Sequence, residues 1–304
     1  MENVMENQTA RSVMREFRRA AARSGFILLV YMAAVIILKL ILSFFLPEAL
    51  TESAAPLISF AVVFMGVYKK DFIRTFDGRL GEERGRRSKV LAGTSLYVAV
   101  TVIAFFVCAL AAAVFEDFGI NVLIDIKTIP RLEGISGIIY VLYICFAEPA
   151  MYAFIFFGFV QGRMSKYDEK AAGFIAAVLY AFAHGMYIFV PVAFLQGLIL
   201  ANSAAKNKSM LTTVKINILS AILINMGLYI TDRYAGVPFT VYTIILGVFT
   251  ICGVVALCIS FCNRLHGRKK ELWEPKYVRM YLLKGVVILF ILAAMAEDIL
   301  FMLT

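Results

Sequence analysis

Charged residues are scarce in this sequence of 304 residues: they make up 17% of it, whereas 62% of the residues are hydrophobic. Soluble domains contain about 25% charged and about 45–50% apolar residues. The composition therefore excludes an ordinary soluble domain and predicts an all-α, polytopic integral membrane protein. Segments rich in Pro, Gly or Ser that would separate domains are also lacking. We expect a single helical membrane domain over residues 25–304, preceded by a basic cytoplasmic lead-in over residues 1–24.

The apolar residues are grouped into runs that predict about nine transmembrane helices. A bilayer core about 30 Å thick is crossed by about 20 apolar residues in helical conformation. The runs are 25–46, 54–68, 90–115, 135–160, 171–188, 191–204, 209–230, 237–262 and 281–302. Because 54–68 and 191–204 are short, eight helices are also compatible with the sequence.

Basic residues are nearly absent from every second loop between these runs. One alternate set of loops carries 25 Lys and Arg residues and the other only Lys127, Arg131 and Arg233. Cytoplasmic loops are the ones enriched in Lys and Arg. We therefore expect a multi-pass protein of a bacterial plasma membrane, with its N-terminus in the cytoplasm and its C-terminus outside. The net charge of +9 then reflects topology and attraction to anionic membrane lipid, and we expect no nucleic-acid partner.

Histidine and cysteine are also few, with two and five residues respectively, and no CxxC pair occurs. Metal and redox sites usually show such short spacings, and a catalytic zinc usually has three protein ligands. The sequence therefore predicts neither a bound metal nor another cofactor.

Ionisable residues deep within the runs are the candidates for function, because their burial in a membrane is costly. Glu148 in "ICFAEPAMYAF" and His184 in "YAFAH" each lie about 13 residues into their run, or about 20 Å along a helix. Both would lie near the membrane midplane on antiparallel neighbouring helices. They form either a buried acid–base couple or a hydrogen-bonded pair that only holds two helices together.

Pro149 follows Glu148 directly and has no amide hydrogen, so in an α-helix it leaves the carbonyl of Cys145 without its donor. Unsatisfied backbone at this depth is tolerated only against protein or a water-filled cavity. The dipeptide therefore predicts a cavity at Glu148, although an ordinary proline kink is the alternative.

Four further polar residues share the faces or neighbouring helices of this pair. Tyr152 follows Glu148 by four residues and Tyr180 precedes His184 by four, which places each tyrosine on the face of its partner. Asn217 and Asn225 lie on the following long run. The tyrosines are either site residues or aromatic packing, and membrane asparagines often only bond across helices.

In these residues the sequence resembles the CAAX-protease and bacteriocin-processing family of intramembrane proteases, also called CPBP or Abi. "EPAMYA" stands at the family's EExxxR motif, "YAFAH" at its FxxxH motif and "FLQGLILA" at its Gly-Leu-rich stretch. The resemblance covers about residues 135–230 and implies a CPBP-like core there. Pro149 replaces the second glutamate of the motif, Ala153 replaces its arginine, and no second intramembrane histidine is present.

The resemblance implies an intramembrane endopeptidase that acts on a membrane-associated peptide or a lipidated protein. Glu148, His184 and Asn217 would be its catalytic residues, and Tyr152, Tyr180 and Asn225 would bind substrate. Because several motif positions are substituted, the alternative is a non-catalytic relative that acts as a scaffold, a bacteriocin immunity protein or a regulatory partner.

Overall fold

The computed structural model describes the backbone of residues 2–76, 87–117, 134–184, 190–207, 209–233, 237–266 and 275–303. Within these ranges the chain is helical and contains no strand, which confirms the all-α prediction. The helices are α1 (Glu2–Leu42), α2 (Glu48–Phe60), α3 (Lys69–Phe76), α4 (Arg87–Asp117), α5 (Gly134–Leu142), α6 (Glu148–Tyr152), α7 (Gln161–Met164), α8 (Glu169–His184), α9 (Val190–Asn207), α10 (Met210–Arg233), α11 (Val237–His266), α12 (Pro275–Leu282) and α13 (Gly285–Leu303). Three π-helical segments, Ala61–Val67, Tyr143–Ala147 and Ala153–Val160, continue α2, α5 and α6.

Each of the nine apolar runs lies largely on helix, and several of the helices are long and apolar enough to cross a membrane. These are Ser12–Leu42, Glu48–Val67, Arg87–Val107, Gly134–Met164 and Thr240–Ile259, and the bent pair Lys276–Leu282 with Gly285–Ala296 adds a sixth if it counts as one span. The runs at 171–188, 191–204 and 209–230 correspond to α8, α9 and α10. Several apolar helices thus indicate a membrane protein, while the count of nine spans stays a prediction.

The basic lead-in is continuous with the first apolar run, because both belong to the 41-residue helix α1. Two of its apolar residues are buried: Phe17 is 1% and Ala21 is 0% accessible. The ring of Phe17 contacts Tyr167 at 5.3 Å and Tyr277 at 4.9 Å between centroids. The lead-in therefore packs against the membrane domain.

Segments that the charge pattern assigns to one side of the membrane meet at one end of the molecule. Asp71 in α3 pairs with Arg23 of α1 at 2.6 Å and with Arg163 of α7 at 3.6 Å. We call this the basic end. The contacts agree with the predicted grouping of these loops, and the assignment of this end to the cytoplasm stays a prediction.

Small residues let the helices approach closely in the core. A Cβ at Gly197 of α9 would lie only 2.9 Å from the Cα of Ala177 in α8 and 3.1 Å from its carbonyl oxygen. Glycine at this position therefore permits the close packing of α8 against α9. That packing holds Tyr180 and His184, at the end of α8, against the distorted helix that carries Glu148.

Candidate functional site

Glu148 lies where the helix formed by residues 134–164 changes its hydrogen-bond register. Its backbone N–H bonds to the carbonyl of Tyr143, five residues earlier, at the end of the π-helical segment Tyr143–Ala147. π-helical turns are rare and frequently occur at functional sites. In this register the next amide, that of residue 149, would bond to Ile144, but Pro149 has none. The carbonyl left without its donor is therefore that of Ile144, and not that of Cys145 as an α-helical register predicts.

Asn225 supplies the missing donor, since its Nδ2 donates to the carbonyl oxygen of Ile144 at 3.0 Å. Asn217, 2% exposed, donates in the same way to the carbonyl oxygen of Pro149 at 2.8 Å. That oxygen also accepts the backbone N–H of Ala153. Two asparagines on α10 thus hold the irregular backbone on both sides of Glu148. The sequence assigned Asn217 to catalysis and Asn225 to substrate binding, and those roles stay predictions.

Glu148 and His184 come together as predicted from their common depth. Oε1 of Glu148 lies 3.8 Å from Nδ1 of His184, which is within ion-pair range but longer than a direct hydrogen bond. The side chain of Glu148 is 19% exposed and that of His184 is 31% exposed. Neither side chain is sealed in the core, so both remain accessible to a small molecule such as water.

The two predicted tyrosines pack around the imidazole of His184. The ring of Tyr180 stacks on it with centroids 5.1 Å apart and an interplanar angle of 28°, and Tyr152 meets it edge-on at 5.4 Å. Their hydroxyls are engaged elsewhere, since Tyr152 donates to the carbonyl of Ala183 at 3.0 Å and Tyr180 shares a hydrogen bond of 3.1 Å with Tyr97. The tyrosines therefore orient the imidazole through their rings.

A polar cavity of about 90 Å³ opens at Glu148, as the adjacent proline predicted. Its polar lining consists of Tyr31, Lys39, Glu52, Tyr140, Tyr143, Glu148 and Tyr152, and its apolar lining of Met32, Val35, Pro56 and Ile144. A buried water needs at least 10–15 Å³ and two to four polar partners. The cavity offers both the volume and the partners for several water molecules.

Lys39 and Glu52 were not recognised as site residues from the sequence. The position of Lys39 towards the end of its apolar run predicts a lysine that reaches the membrane interface, and Glu52 falls in the short loop between two runs. In the structure Nζ of Lys39 and Oε2 of Glu52 are 2.5 Å apart, and each side chain is 19% exposed. The available signal was the short connection between α1 and α2, because it places the last turns of α1 beside the first turns of α2.

Within the described side chains, no group of three or more His, Cys, Asp or Glu residues is arranged to hold a metal ion. The described polar groups of the site are the carboxylates, the ammonium group and the tyrosine hydroxyls that line the cavity, and the imidazole of His184 beside Glu148. Comparison of the chain with protein-family models, with curated proteins and with solved structures finds no match.

Proposed function

We propose that the protein is an intramembrane endopeptidase in which Glu148 and His184 activate water at the cavity. The observation that supports this proposal is the 3.8 Å separation of the carboxylate and the imidazole, with Glu148 in the wall of a polar cavity. The substrate class, a membrane-associated peptide or a lipidated protein, comes from the resemblance to the CPBP family. With it we propose the CPBP-like core over residues 135–230, about nine spans and a cytoplasmic N-terminus in a bacterial plasma membrane.

The proposed reaction is hydrolysis of a peptide bond by general base catalysis. The Glu148 carboxylate takes a proton from a water molecule, and the oxygen of that water attacks the peptide carbonyl carbon. Negative charge then develops on the carbonyl oxygen, where a positive group or a hydrogen-bond donor stabilises it. Collapse of the tetrahedral intermediate breaks the C–N bond, and the leaving amine receives the proton that Glu148 took from water, either directly or through His184.

Lys39 is the cationic residue in the lining of the Glu148 cavity. Its ammonium group is paired with Glu52, so the cavity contains two carboxylates and one cation. We propose that Lys39 and Glu52 hold the charge balance around Glu148 during the reaction.

A second function is favoured by the positions of the two asparagines. Asn217 and Asn225 each donate an amide hydrogen to the backbone beside Glu148, so these hydrogens support the helix instead of pointing to a substrate carbonyl. A protein that binds a membrane peptide at the cavity without cleaving it would retain this arrangement. This is the scaffold, immunity or regulatory alternative.

The experiment is a cleavage assay with the purified full chain in detergent, offered a prenylated-cysteine peptide and a leader-type peptide. We expect Glu148→Gln and His184→Ala each to lower the cleavage rate at least about 100-fold, since general acid–base groups contribute about 10²–10⁴-fold. Glu169→Gln is the matched control, because Glu169 is an exposed carboxylate at the first turn of α8. Equal cleavage by the wild type and both site variants would contradict the proposal.

The same samples distinguish the second function from the first. Peptide retained by the wild type without cleavage, and lost in both site variants, would identify a binding protein. If the wild type and both site variants cleave the peptide equally and retain it equally, or do neither, both functions at this cavity are excluded.

A further inference from the structure

The helices α12 and α13 form a bend at the basic end of the molecule. Residues 276–282 and 285–296 meet at an angle of 62°. The short helix α12 is amphipathic, because Val278 and Tyr281 are buried while Lys276 and Arg279 are exposed. An amphipathic helix joined at a bend to an apolar helix has the form expected where a chain lies along the membrane surface before entering it.

A groove of about 390 Å³ lies at this bend, and its lining has one sign of charge. Four basic residues and two apolar residues form it: Arg18, Lys276, Arg279, Met280, Leu283 and Lys284. No carboxylate belongs to the lining. Three of the basic residues, Arg18, Arg279 and Lys284, make no ion pair within the described part of the chain. Their positive charge is therefore not balanced by described acidic side chains.

The start of α13 adds to this positive field. The backbone amides of Val287 and Ile288 both donate to the carbonyl of Lys284, each at 2.9 Å, so the helix begins at the wall of the groove. The N-terminal end of a helix carries partial positive charge and favours phosphate groups. A Cβ built at Gly285 meets no atom within 4 Å, so this helix end is open to a ligand.

The apolar part of the lining distinguishes a lipid from a soluble anion. Leu283 is 63% exposed, and Met280 is fixed beside it by a contact of 3.3 Å from Nε of Arg18 to its Sδ. A ligand that fills the groove therefore meets cations at one part and hydrocarbon at another. A phospholipid has this combination of an anionic phosphate and an attached apolar portion.

We propose that this groove binds the headgroup of an anionic phospholipid. The phosphate lies among Arg18, Arg279 and Lys284, and the glycerol and first acyl carbons lie against Leu283 and Met280. The site is separate from the Glu148 cavity and shares no lining residue with it. Its binding is therefore independent of the proposed hydrolytic function.

The test measures lipid retention by the purified full chain in detergent, using native mass spectrometry with added phosphatidylglycerol or phosphatidylcholine. We expect the wild type to retain phosphatidylglycerol preferentially. The double variant Arg279→Gln with Lys284→Gln should bind it about 30-fold more weakly, from the attraction of about two basic residues to an anionic lipid. The control removes two exposed lysines from the loop between α7 and α8 and the start of α8, with Lys166→Gln and Lys170→Gln, and should retain phosphatidylglycerol like the wild type.

Three results would overturn the proposal. One is equal retention of the two lipids by the wild type, and another is an equal loss of phosphatidylglycerol in the double variant and its control. The third is displacement of phosphatidylglycerol by millimolar inorganic phosphate, which would identify a site for a soluble anion. Thermal unfolding of each variant confirms that the purified proteins are folded before lipid is added.

Discussion

Two ion pairs on the same helix show how differently charge is used in the middle of α1 and in its last turn. Arg23 and Lys39 are 16 positions apart, or about 24 Å along the helix axis. Arg23 pairs with Asp71 at the basic end, and its side chain is 59% exposed. Lys39 pairs with Glu52 in the lining of the Glu148 cavity, and both of these side chains are 19% exposed.

The difference lies in what surrounds each carboxylate. Asp71 has two cationic neighbours, Arg23 and Arg163. The Asp71 side chain is 18% exposed, about as little as that of Glu52, but the Arg23 side chain is 59% exposed, so water solvates that cation when its partner is lost. Glu52 faces a small cavity that also contains Glu148. Removing one charge there alters the balance among groups that are shielded from bulk solvent. The cavity pair should therefore be more important for stability than the pair at the basic end.

The largest expected effect comes from replacing the acid of the cavity pair by its amide. Glu52→Gln leaves Lys39 without its partner carboxylate in a partly enclosed site, and we expect it to lower the free energy of unfolding by about 2 kcal/mol. Fully buried pairs lose about 3–5 kcal/mol when one partner is removed, and partial exposure reduces that cost. The measurement is chemical denaturation of the purified variant in detergent.

Asp71→Asn is the matched change at the basic end. Because the Arg23 side chain is 59% exposed and exposed ion pairs contribute about 0–1 kcal/mol, its effect should be below about 1 kcal/mol and should decrease further in high salt. If Asp71→Asn lowers the free energy of unfolding as much as Glu52→Gln or more, the distinction between the Arg23–Asp71 pair and the Lys39–Glu52 pair is contradicted.

A smaller effect is expected from the asparagine that supports the π-helical turn. Asn225→Leu leaves the carbonyl of Ile144 without a donor and should destabilise the protein by about 1–2 kcal/mol. Pro149→Ala restores an amide at residue 149, which can bond to that carbonyl. The cost of Asn225→Leu should therefore fall when it is measured in the Pro149→Ala background, giving a coupling of about 1 kcal/mol in a double-mutant cycle.

Asn217→Leu is the control for this cycle. The carbonyl of Pro149 keeps the amide of Ala153 as a donor, so this change should cost less and should not be rescued by Pro149→Ala through the same bond. Strict additivity of Asn225→Leu and Pro149→Ala would show that Asn225 does not replace the proline's missing amide.

The sequence predicted the parts of the fold that depend on composition and periodicity. Apolar runs located the helices, and the alternation of basic loops grouped segments that do meet, such as those containing Arg23, Asp71 and Arg163. The common depth of Glu148 and His184 was enough to predict that they face each other. These features can be predicted from the sequence, because they follow from the rise per residue of a helix and from the free-energy cost of placing a charge in a membrane.

The remaining features depend on three-dimensional details that the spacing does not contain. An α-helical register assigns the missing donor beside Pro149 to the carbonyl of Cys145, whereas the π-helical register of the structure assigns it to that of Ile144, because π-helical turns have no sequence signature of their own. The carbonyl oxygens to which the side-chain amides of Asn217 and Asn225 donate depend on that register. The Lys39–Glu52 pair is not visible in the runs, because Lys39 lies in an apolar run and Glu52 in a loop, and the turn between α1 and α2 brings the two together.

The most direct test of the central claim, that Glu148 and His184 act as one pair, uses the scarcity of histidine. The chain has two histidines, so ¹⁵N-histidine labelling and the variant His266→Gln assign the imidazole signal of His184. The account predicts that Glu148→Gln shifts this signal, while Glu169→Gln, at the opposite end of α8, leaves it in place. An imidazole signal of His184 that is identical in the wild type and in Glu148→Gln would contradict the account.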